Sequence, residues 1–323
     1  MTSPHVAVVV LTWNGEEDTV ACLASLQRVH YDNLSVVVVD NGSADRTVPR
    51  VRAEFPDVAM LETGANLGFA GGNNVGIRYA LDHGADYVFL LNNDTIVDPA
   101  VVRHLVDAAE ADPSVGVIGP KVFFFSEPDH VWYGGGWVQR WAGASGHIGL
   151  GERDRMNQGE PLDTAYVTGC ALMARASVLR RVGLLEPAFF IYWEDVDLSF
   201  RIRRAGYRVL YAPRAVLWHK VSRTFGGTAD HRFFYGGRAH GPESVTSLYL
   251  GTRNNLLFVE RNVTWPFRVF VMGIALSRKV VKMVALFVMA GAPGRRKARG
   301  IALGIRDYML RRFGTPAWDA LRL

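Results

Sequence analysis

A chain of 323 residues that is 49% hydrophobic has the apolar material for a sizeable core and is not a disordered segment. Its two cysteines, Cys22 and Cys170, lie far apart with no CxxC spacing, which excludes a disulfide framework or a thiolate metal site and suits a reducing, cytoplasmic compartment. The net charge of +5 is carried mainly in the second half, in RIRRAGYR, RRKAR and MLRRF. Such patches suit phosphates of any kind, on nucleotide sugars, lipid head groups or nucleic acid.

The opening MTSPHVAVVVLTWNGEED lacks a basic leader and its apolar run is too short to span a bilayer, so it reads as a first strand and not a signal peptide. Further buried-strand runs follow in LSVVVVDNGS (34–43) and DYVFLLNNDT (86–95). Helical patterns lie between them, EEDTVACLASLQRV (16–29) and NNVGIRYALDHG (73–84), the second ending in a glycine suited to a left-handed cap. Alternating buried strands and helices predict an α/β fold: a mostly parallel twisted sheet with helices on both faces. In such sheets ligands bind beyond the carboxyl ends of the strands. Here those ends read TWNG, DNGS and NNDT. One polar end is ordinary turn chemistry; three together point to a polar ligand.

Past residue 115, VGVIGPKVFFF predicts another strand, WYGGGWVQRWAGASGHIGLG hairpins and loops, and AYVTGCALMARASVLRRVG a strand running into a helix. FFIYWEDVDLSFRIRRAGYRVLYAPRAVLWHK reads as a loop, an amphipathic helix and a strand ending at His219. The stretch 222–244 has the glycine and polar content of a mobile loop or boundary, which places domains at 1–235 and 236–323. SVTSLYLGTRNNLLFVERN then predicts a helix, and the apolar stretch after it is broken by Arg278, Lys279 and Lys282, too often for a span of the roughly 20 residues that cross a bilayer. Two helices lying on a membrane surface account for it, as does a helical pair packed on the catalytic domain or on a partner subunit.

Three groups of residues could do chemistry. A carboxylate and amides at a strand end suit Mg2+ or Mn2+, hard cations that share oxygen ligands with substrate phosphates, so Asp94 is a candidate ligand. Asp40, on a neighbouring strand end, is placed to bond a ribose or base. In WEDVD, three carboxylates in four residues need compensation by a cation, an arginine or hydrogen bonds. Glu194 and Asp197 share a face there and Asp195 projects elsewhere, as a general base beside a cleft would; an acidic first helical turn explains the same residues without catalysis. His219 is a candidate metal ligand or a structural histidine. The loop GANLGFAGGNNVG (64–76) lies in the wrong place for a Rossmann cofactor site.

The runs VVVLTWNG, VVVVDNGSADRTV, NLGFAGGNNVGIRYAL, YVFLLNNDTIVDP, VTGCALMARASVLRRVGLLEP and FFIYWEDVDLSFRIRRAGYRV, with His219, resemble inverting nucleotide-sugar glycosyltransferases of family 2, which have the GT-A fold. The chain looks most like the bacterial rhamnosyltransferase and galactofuranosyltransferase branch; the match covers residues 6 to about 220, and the C-terminal helical extension matches more loosely. The resemblance implies nucleotide-sugar contacts from Thr12, Asn14, Asp40, Asn66, Asn92, Asn93 and Asp94, with Asn92 standing where the family's DxD motif has its first acid. It implies a Mg2+ or Mn2+ ion on Asp94 and His219, Asp195 as catalytic base, and an acceptor pocket lined by Trp193, Glu194 and Gly169. The activity it implies is inverting sugar transfer, L-rhamnose from dTDP-rhamnose in first place, to a glycan or polyprenyl-diphosphate-linked saccharide of a cell wall or surface polysaccharide. The enzyme would sit peripherally at the inner face of the cytoplasmic membrane, and a homo-oligomer stays open.

Rivals are a UDP-sugar transferase of the same fold, a nucleotidyltransferase, and a non-catalytic nucleotide-sugar-binding module. The nucleotidyltransferase wants Arg or Lys near the first strand, where TWNGEED supplies acids. Nucleic acid is disfavoured because the basic residues interleave with an apolar tail and not with exposed aromatics.

Overall fold

The computed structural model describes residues 3–141, 143–154, 159–221, 244–289 and 291–316. The first half alternates β1 (Val6–Thr12), α1 (Glu16–Leu26), β2 (Leu34–Asp40), α2 (Thr47–Glu54), β3 (Ala59–Glu62), α3 (Gly68–Asp82) and β4 (Tyr87–Asn92). A short β5 (Thr95–Val97), α4 (Val101–Glu110) and the long β6 (Val115–Phe124) follow. Then come β7 (Val131–Tyr133), the hairpin of β8 (Gly136–Gln139) and β9 (Ala144–His147), β10 (Leu162–Asp163), β11 (Ala171–Arg175), α5 (Ala176–Val182), α6 (Glu194–Arg204) and β12 (Arg208–His219). Three helices end the chain: α7 (Val245–Asn262), α8 (Phe267–Met289) and α9 (Gly291–Met309).

Among the described residues the main sheet runs β10-β12-β6-β11-β4-β1-β2-β3, with β5 on β12 and β7 on β6. β1 is parallel to both neighbours, in a register that sets Thr12 beside Asp40 and Leu11 beside Asn92, so three strands end at one rim. β11 is the exception within the sheet's centre, antiparallel to both β4 and β6. β1 is apolar from Val6 to Leu11 because both its faces are covered: Val6, Val8 and Val10 enter one core, Ala7 and Val9 the other.

The helix expected from residue 73 begins at Gly68, five residues earlier. Two features make the glycine-rich run helical. The Asn66 side-chain oxygen accepts from Gly68 N at 2.9 Å, capping the first turn. The helix also lies so close to the sheet that a Cβ on Gly76 would stand 2.3 Å from Val9 Cγ1 and one on Gly72 2.5 Å from Leu11 Cδ1. The glycines that lower helix propensity are therefore what lets this helix pack. Its far end is as expected, with Gly84 at φ +75°. The first helix stops at Leu26, short of the expected 29.

The helix expected at the start of the C-terminal region is α7, opened by Ser244, whose hydroxyl accepts from Ser247 N. Its Leu257 and Phe258 are buried in the same core as β1, and burying such side chains contributes about 1.5–3 kcal/mol each. The expected boundary at 235 and nearly all of the expected mobile stretch lie outside the described residues. No helix among the described residues is long and apolar enough to cross a membrane.

Candidate active site

The rim where β1, β2 and β4 end gathers the polar residues. Beyond Asn92 the chain turns through Asn93 and Asp94 into β5, which pairs antiparallel with β12 so that Thr95 faces His219. That pairing brings His219 Nε2 to 3.0 Å from Asp94 Oδ1, with both side chains buried. Burial alone would lower the imidazole's pKa, but the Asp94 carboxylate beside it raises it well above its ordinary value. The Trp132 ring packs edge-on against His219, centroids 4.5 Å apart.

No cluster of three or more His, Cys, Asp or Glu suited to a metal ion occurs among the described residues. The pair nevertheless fits a Mg2+ or Mn2+ ion that takes its other ligands from a substrate and water. Asp94 Oδ1 and His219 Nε2, 3.0 Å apart in their ion-pair hydrogen bond, are a carboxylate oxygen and an imidazole nitrogen that could turn to such an ion once Nε2 gives up its proton.

Asp195 opens the second part of the site. It stands in the first turn of α6, behind a loop in which Phe190, Tyr192 and Trp193 all have left-handed φ (65°, 73° and 77°), a conformation costly for bulky residues and found where the surroundings enforce it. Its Oδ2 accepts from Gly169 N at 2.9 Å and its Oδ1 from Val196 N at 2.7 Å. Burial raises the Asp195 pKa, and these N–H bonds temper the rise. A Cβ on residue 169 would stand 2.9 Å from the Phe69 ring and 3.6 Å from Asp195 Cβ, so glycine is needed where the chain passes the carboxylate. Glu194 is buried, and burial followed by repulsion from Asp195 raises its pKa well above the ordinary value; its Oε2 has no hydrogen-bond partner. Asp197, which the sequence places on the same face, is committed elsewhere, to Arg201 at 2.8 Å and Asn262 at 2.9 Å.

Cys170 joins the two halves. Its carbonyl accepts from Asn92 N at 2.9 Å. Its thiol, raised chiefly by burial, is lowered by His219 and raised again by Asp94 and Asp195, so it lies within the field of all three.

The remaining sequence candidates line the β1–β2–β4 rim in different ways. Asp40 Oδ2 accepts from Gly42 N and Ser43 N, while its buried Oδ1 has no partner. Asn14 is exposed and ties two loops, its Oδ1 accepting from Ala44 N and its N–H donating to Ser43 Oγ. Thr12 is buried, its hydroxyl 2.8 Å from that of Thr19, and Asn93 donates to both hydroxyls. Asn66 is spent on the α3 cap and on Asn41. Asn92 is half-buried at the rim. Trp193, outside this rim, packs at a tilt against Phe258 of α7, centroids 4.8 Å apart.

Sequence reasoning missed two neighbours of this site. One is an aromatic box of Trp132, Tyr133, His147 and Tyr166; His147 is pushed down to about 4 by burial and packs against Trp132 and Tyr133. Tyr166 lies three residues before Gly169, whose N–H donates to Asp195, which ties the box to the base. Its members come from three separate segments, so no local pattern betrays it. The other is Arg253-Asn254 of α7, for which the polar run TRNN inside an apolar helix is a readable signal.

The model of the family described as "Glycosyl transferase family 2" matches residues 7–183, more than half of the chain. The chain belongs to glycosyltransferase family 2. Among curated relatives, the glycosyltransferase is 31% identical over 252 residues to the N-acetylglucosaminyl-diphospho-decaprenol L-rhamnosyltransferase of Mycobacterium tuberculosis, an alignment covering 69% of this chain and 79% of that one. It is 26% identical to the low-salt glycan biosynthesis hexosyltransferase Agl10 of Haloferax volcanii, over 63% of each chain. A solved mannosyltransferase from Pyrobaculum calidifontis, in complex with GDP-Man and Mn2+, superposes with a TM-score of 0.55 at 16% identity, covering 97% of this glycosyltransferase and 89% of that chain. Staphylococcus aureus TarS 1–349 superposes with 0.56 at 13% identity, covering 95% and 82%. The fold is GT-A: a mixed α/β domain with a mostly parallel central sheet, followed by a C-terminal helical region.

Proposed function

We propose that this glycosyltransferase transfers L-rhamnose from dTDP-rhamnose, with inversion, to a hydroxyl of a polyprenyl-diphosphate-linked saccharide in cell-wall or surface-polysaccharide synthesis. The rhamnose and the lipid-linked acceptor rest on the mycobacterial relative's name; a UDP-sugar, galactofuranose first, is the second reading. The observation that carries the mechanism is the linkage of Asp195, through its bond to Gly169 N and the Asn92 N–Cys170 O bond beside it, to the turn that carries Asp94 and its partner His219.

The carboxylate of Asp195 takes the proton of the acceptor hydroxyl as its oxygen attacks the anomeric carbon from the side opposite the leaving nucleoside diphosphate. Two backbone N–H donors fix that carboxylate while its burial keeps it basic. Burial and repulsion from Asp195 raise the Glu194 pKa, which favours its uncharged form beside the base. Asp40, with its unpaired buried oxygen, and Asn92 would hold the nucleotide; Asn14 and Asn66 would shape its loops and Thr12 and Asn93 brace the strand ends behind them. Trp193, Glu194 and Gly169 would border the acceptor. Asp94 and His219 would hold Mg2+ or Mn2+, which when bound neutralises charge developing on the diphosphate.

The same reading places the protein peripherally on the inner face of the membrane. Trp265 and, on α8, Phe267, Phe270, Val281, Val284, Phe287 and Val288 are exposed. The chain then continues into α9, where Arg295, Arg296 and Arg299 are exposed too. An apolar face bordered by arginines suits an anionic lipid surface.

The deciding experiment incubates the full chain with dTDP-rhamnose, UDP-galactofuranose and other nucleotide sugars, with a lipid-linked N-acetylglucosamine acceptor, with and without Mn2+. Rhamnose transfer that EDTA abolishes is expected. Transfer from a UDP-sugar instead moves the assignment to the second reading, and nucleotide-sugar binding without turnover on any acceptor points to a non-catalytic module.

A further inference from the structure

α7 reaches the base from behind. Arg253 and Asn254 are fully buried; Arg253 Nη1 donates to Gly314 O at 3.0 Å and to the Tyr249 hydroxyl at 3.4 Å, and the remaining donors of the pair face one segment. Asn254 Nδ2 donates to Phe189 O and Ile191 O, both at 2.7 Å, and to Tyr192 O at 3.0 Å. Arg253 Nη2 donates to Phe189 O at 3.2 Å and Ala188 O at 3.4 Å, and its Nε donates to Asn254 Oδ1 at 3.0 Å, fixing which way the amide faces. These carbonyls belong to the loop whose Phe190, Tyr192 and Trp193 are left-handed and which runs directly into Glu194 and Asp195. On its other side the loop is tied to α3, where Ala70 N donates to Phe190 O at 3.0 Å.

We propose that Asn254, oriented by Arg253, is a positioning residue for Asp195. Left-handed backbone at three non-glycine residues relaxes unless something holds it, and two inward-facing donors on a rigid helix are what hold it here. Released, the loop would turn the first turn of α6 and carry the Asp195 carboxylate away from Gly169 N–H. The C-terminal helices are thus part of the catalytic apparatus. The inference rests on Asp195 being the base, but the backbone clamp is separately measurable.

Asn255, the next residue on the same helix, is an internal control. It is equally buried and donates to Gly143 O at 2.6 Å, a carbonyl in the β8–β9 turn and not in the catalytic loop. The experiment compares Asn254→Ala and Asn255→Ala in the full-length protein by hydrogen exchange and by turnover. Asn254→Ala should speed amide exchange in 189–196 roughly tenfold or more, and Asn255→Ala should do so only around 140–146. With dTDP-rhamnose and UDP-galactofuranose as donors, Asn254→Ala should lower kcat roughly 100-fold with an unchanged donor Kd. It should also shift the acid limb of the pH profile, since the Gly169 N–H bond and the burial that together set the Asp195 pKa both change. Asn255→Ala should stay within about threefold of wild type, the margin allotted to a residue without coupling to the base.

Should Asn254→Ala fail to fold, Asn254→Asp serves: it is isosteric and keeps the acceptor for Arg253 but turns an oxygen onto the three carbonyls. Equal exchange of 189–196 in the two variants, or equal kcat, overturns the proposal. If wild type consumes neither donor, the donor assignment fails and the exchange comparison still decides the clamp.

Discussion

Replacing Asp195 by Asn removes the base and little else. The amide has the carboxylate's shape but one acceptor oxygen, so of the two N–H donors now satisfied at 2.9 and 2.7 Å, one would face an NH2 group. A buried donor left unsatisfied costs about 1–3 kcal/mol. Against this, the neutral amide escapes the desolvation that raises the Asp195 pKa and no longer repels Glu194. The two effects oppose each other, so the variant should remain folded, with a melting temperature close to that of wild type. The rate should not survive. General base catalysis contributes about 10²–10⁴-fold, or about 2.7–5.4 kcal/mol of barrier at 1.36 kcal/mol per decade. Donor binding should be unaffected, because Asp40 and Asn92 lie on other strand ends. The assay pairs single-turnover transfer with calorimetric titration of the donor. In wild type the acid limb should sit above the usual Asp range, since the base must be ionised and burial raises its pKa. Turnover of Asp195→Asn within tenfold of wild type, with the acid limb in place, would refute Asp195 as base.

Three further outcomes are expected. The Asp94 carboxylate favours the protonated form of His219 in the folded state, so the pair's stability is full below the unfolded pKa of about 6.5 and is lost as pH rises through the elevated folded value; melting in EDTA should fall across that window in wild type, and His219→Gln, lower at the acid end, should lack the dependence. Glu194 has the opposite charge type: its raised pKa means that keeping it buried becomes costlier as pH climbs above the ordinary carboxylate value, so Glu194→Gln should raise the melting temperature at neutral pH and change it little near pH 4, and equal shifts at both would contradict a neutral Glu194. The double variant Phe270→Asp, Val281→Asp removes two exposed apolar side chains of α8; it should cut co-flotation with phosphatidylglycerol vesicles at least tenfold, each charge costing a few kcal/mol in hydrocarbon, while undiminished flotation would move this face to a protein partner.

The rim was legible because both its ingredients are local. Strand ends such as DNGS and NNDT announce themselves by a change from apolar to turn-forming residues, and the parallel register then sets Asp40 beside Thr12 without further information. His219 was legible as a strand end, and its pairing with Asp94 followed from one antiparallel contact that no sequence period records. The start of α3 was hidden because propensity counts glycine against a helix, whereas close packing, in which a Cβ on Gly76 would stand 2.3 Å from Val9 Cγ1, demands it. The aromatic box and the α7 clamp were hidden for a different reason: Tyr133 meets Tyr166, and Asn254 meets Tyr192, across separations of 33 and 62 residues. Of the two, only the clamp left a trace, a polar triplet where an apolar stripe should continue.

The reversed direction of β11 has a consequence for how such a pocket diversifies. The parallel strands β1 and β2 end at the rim and run on into α1 and α2. β11 instead starts at the rim, so Tyr166 to Cys170 arrive there as an incoming strap with only short β10 behind them. Substitutions within this strap would reshape the ground next to Asp195 without displacing a helix, which makes it a place where a change alters what is glycosylated.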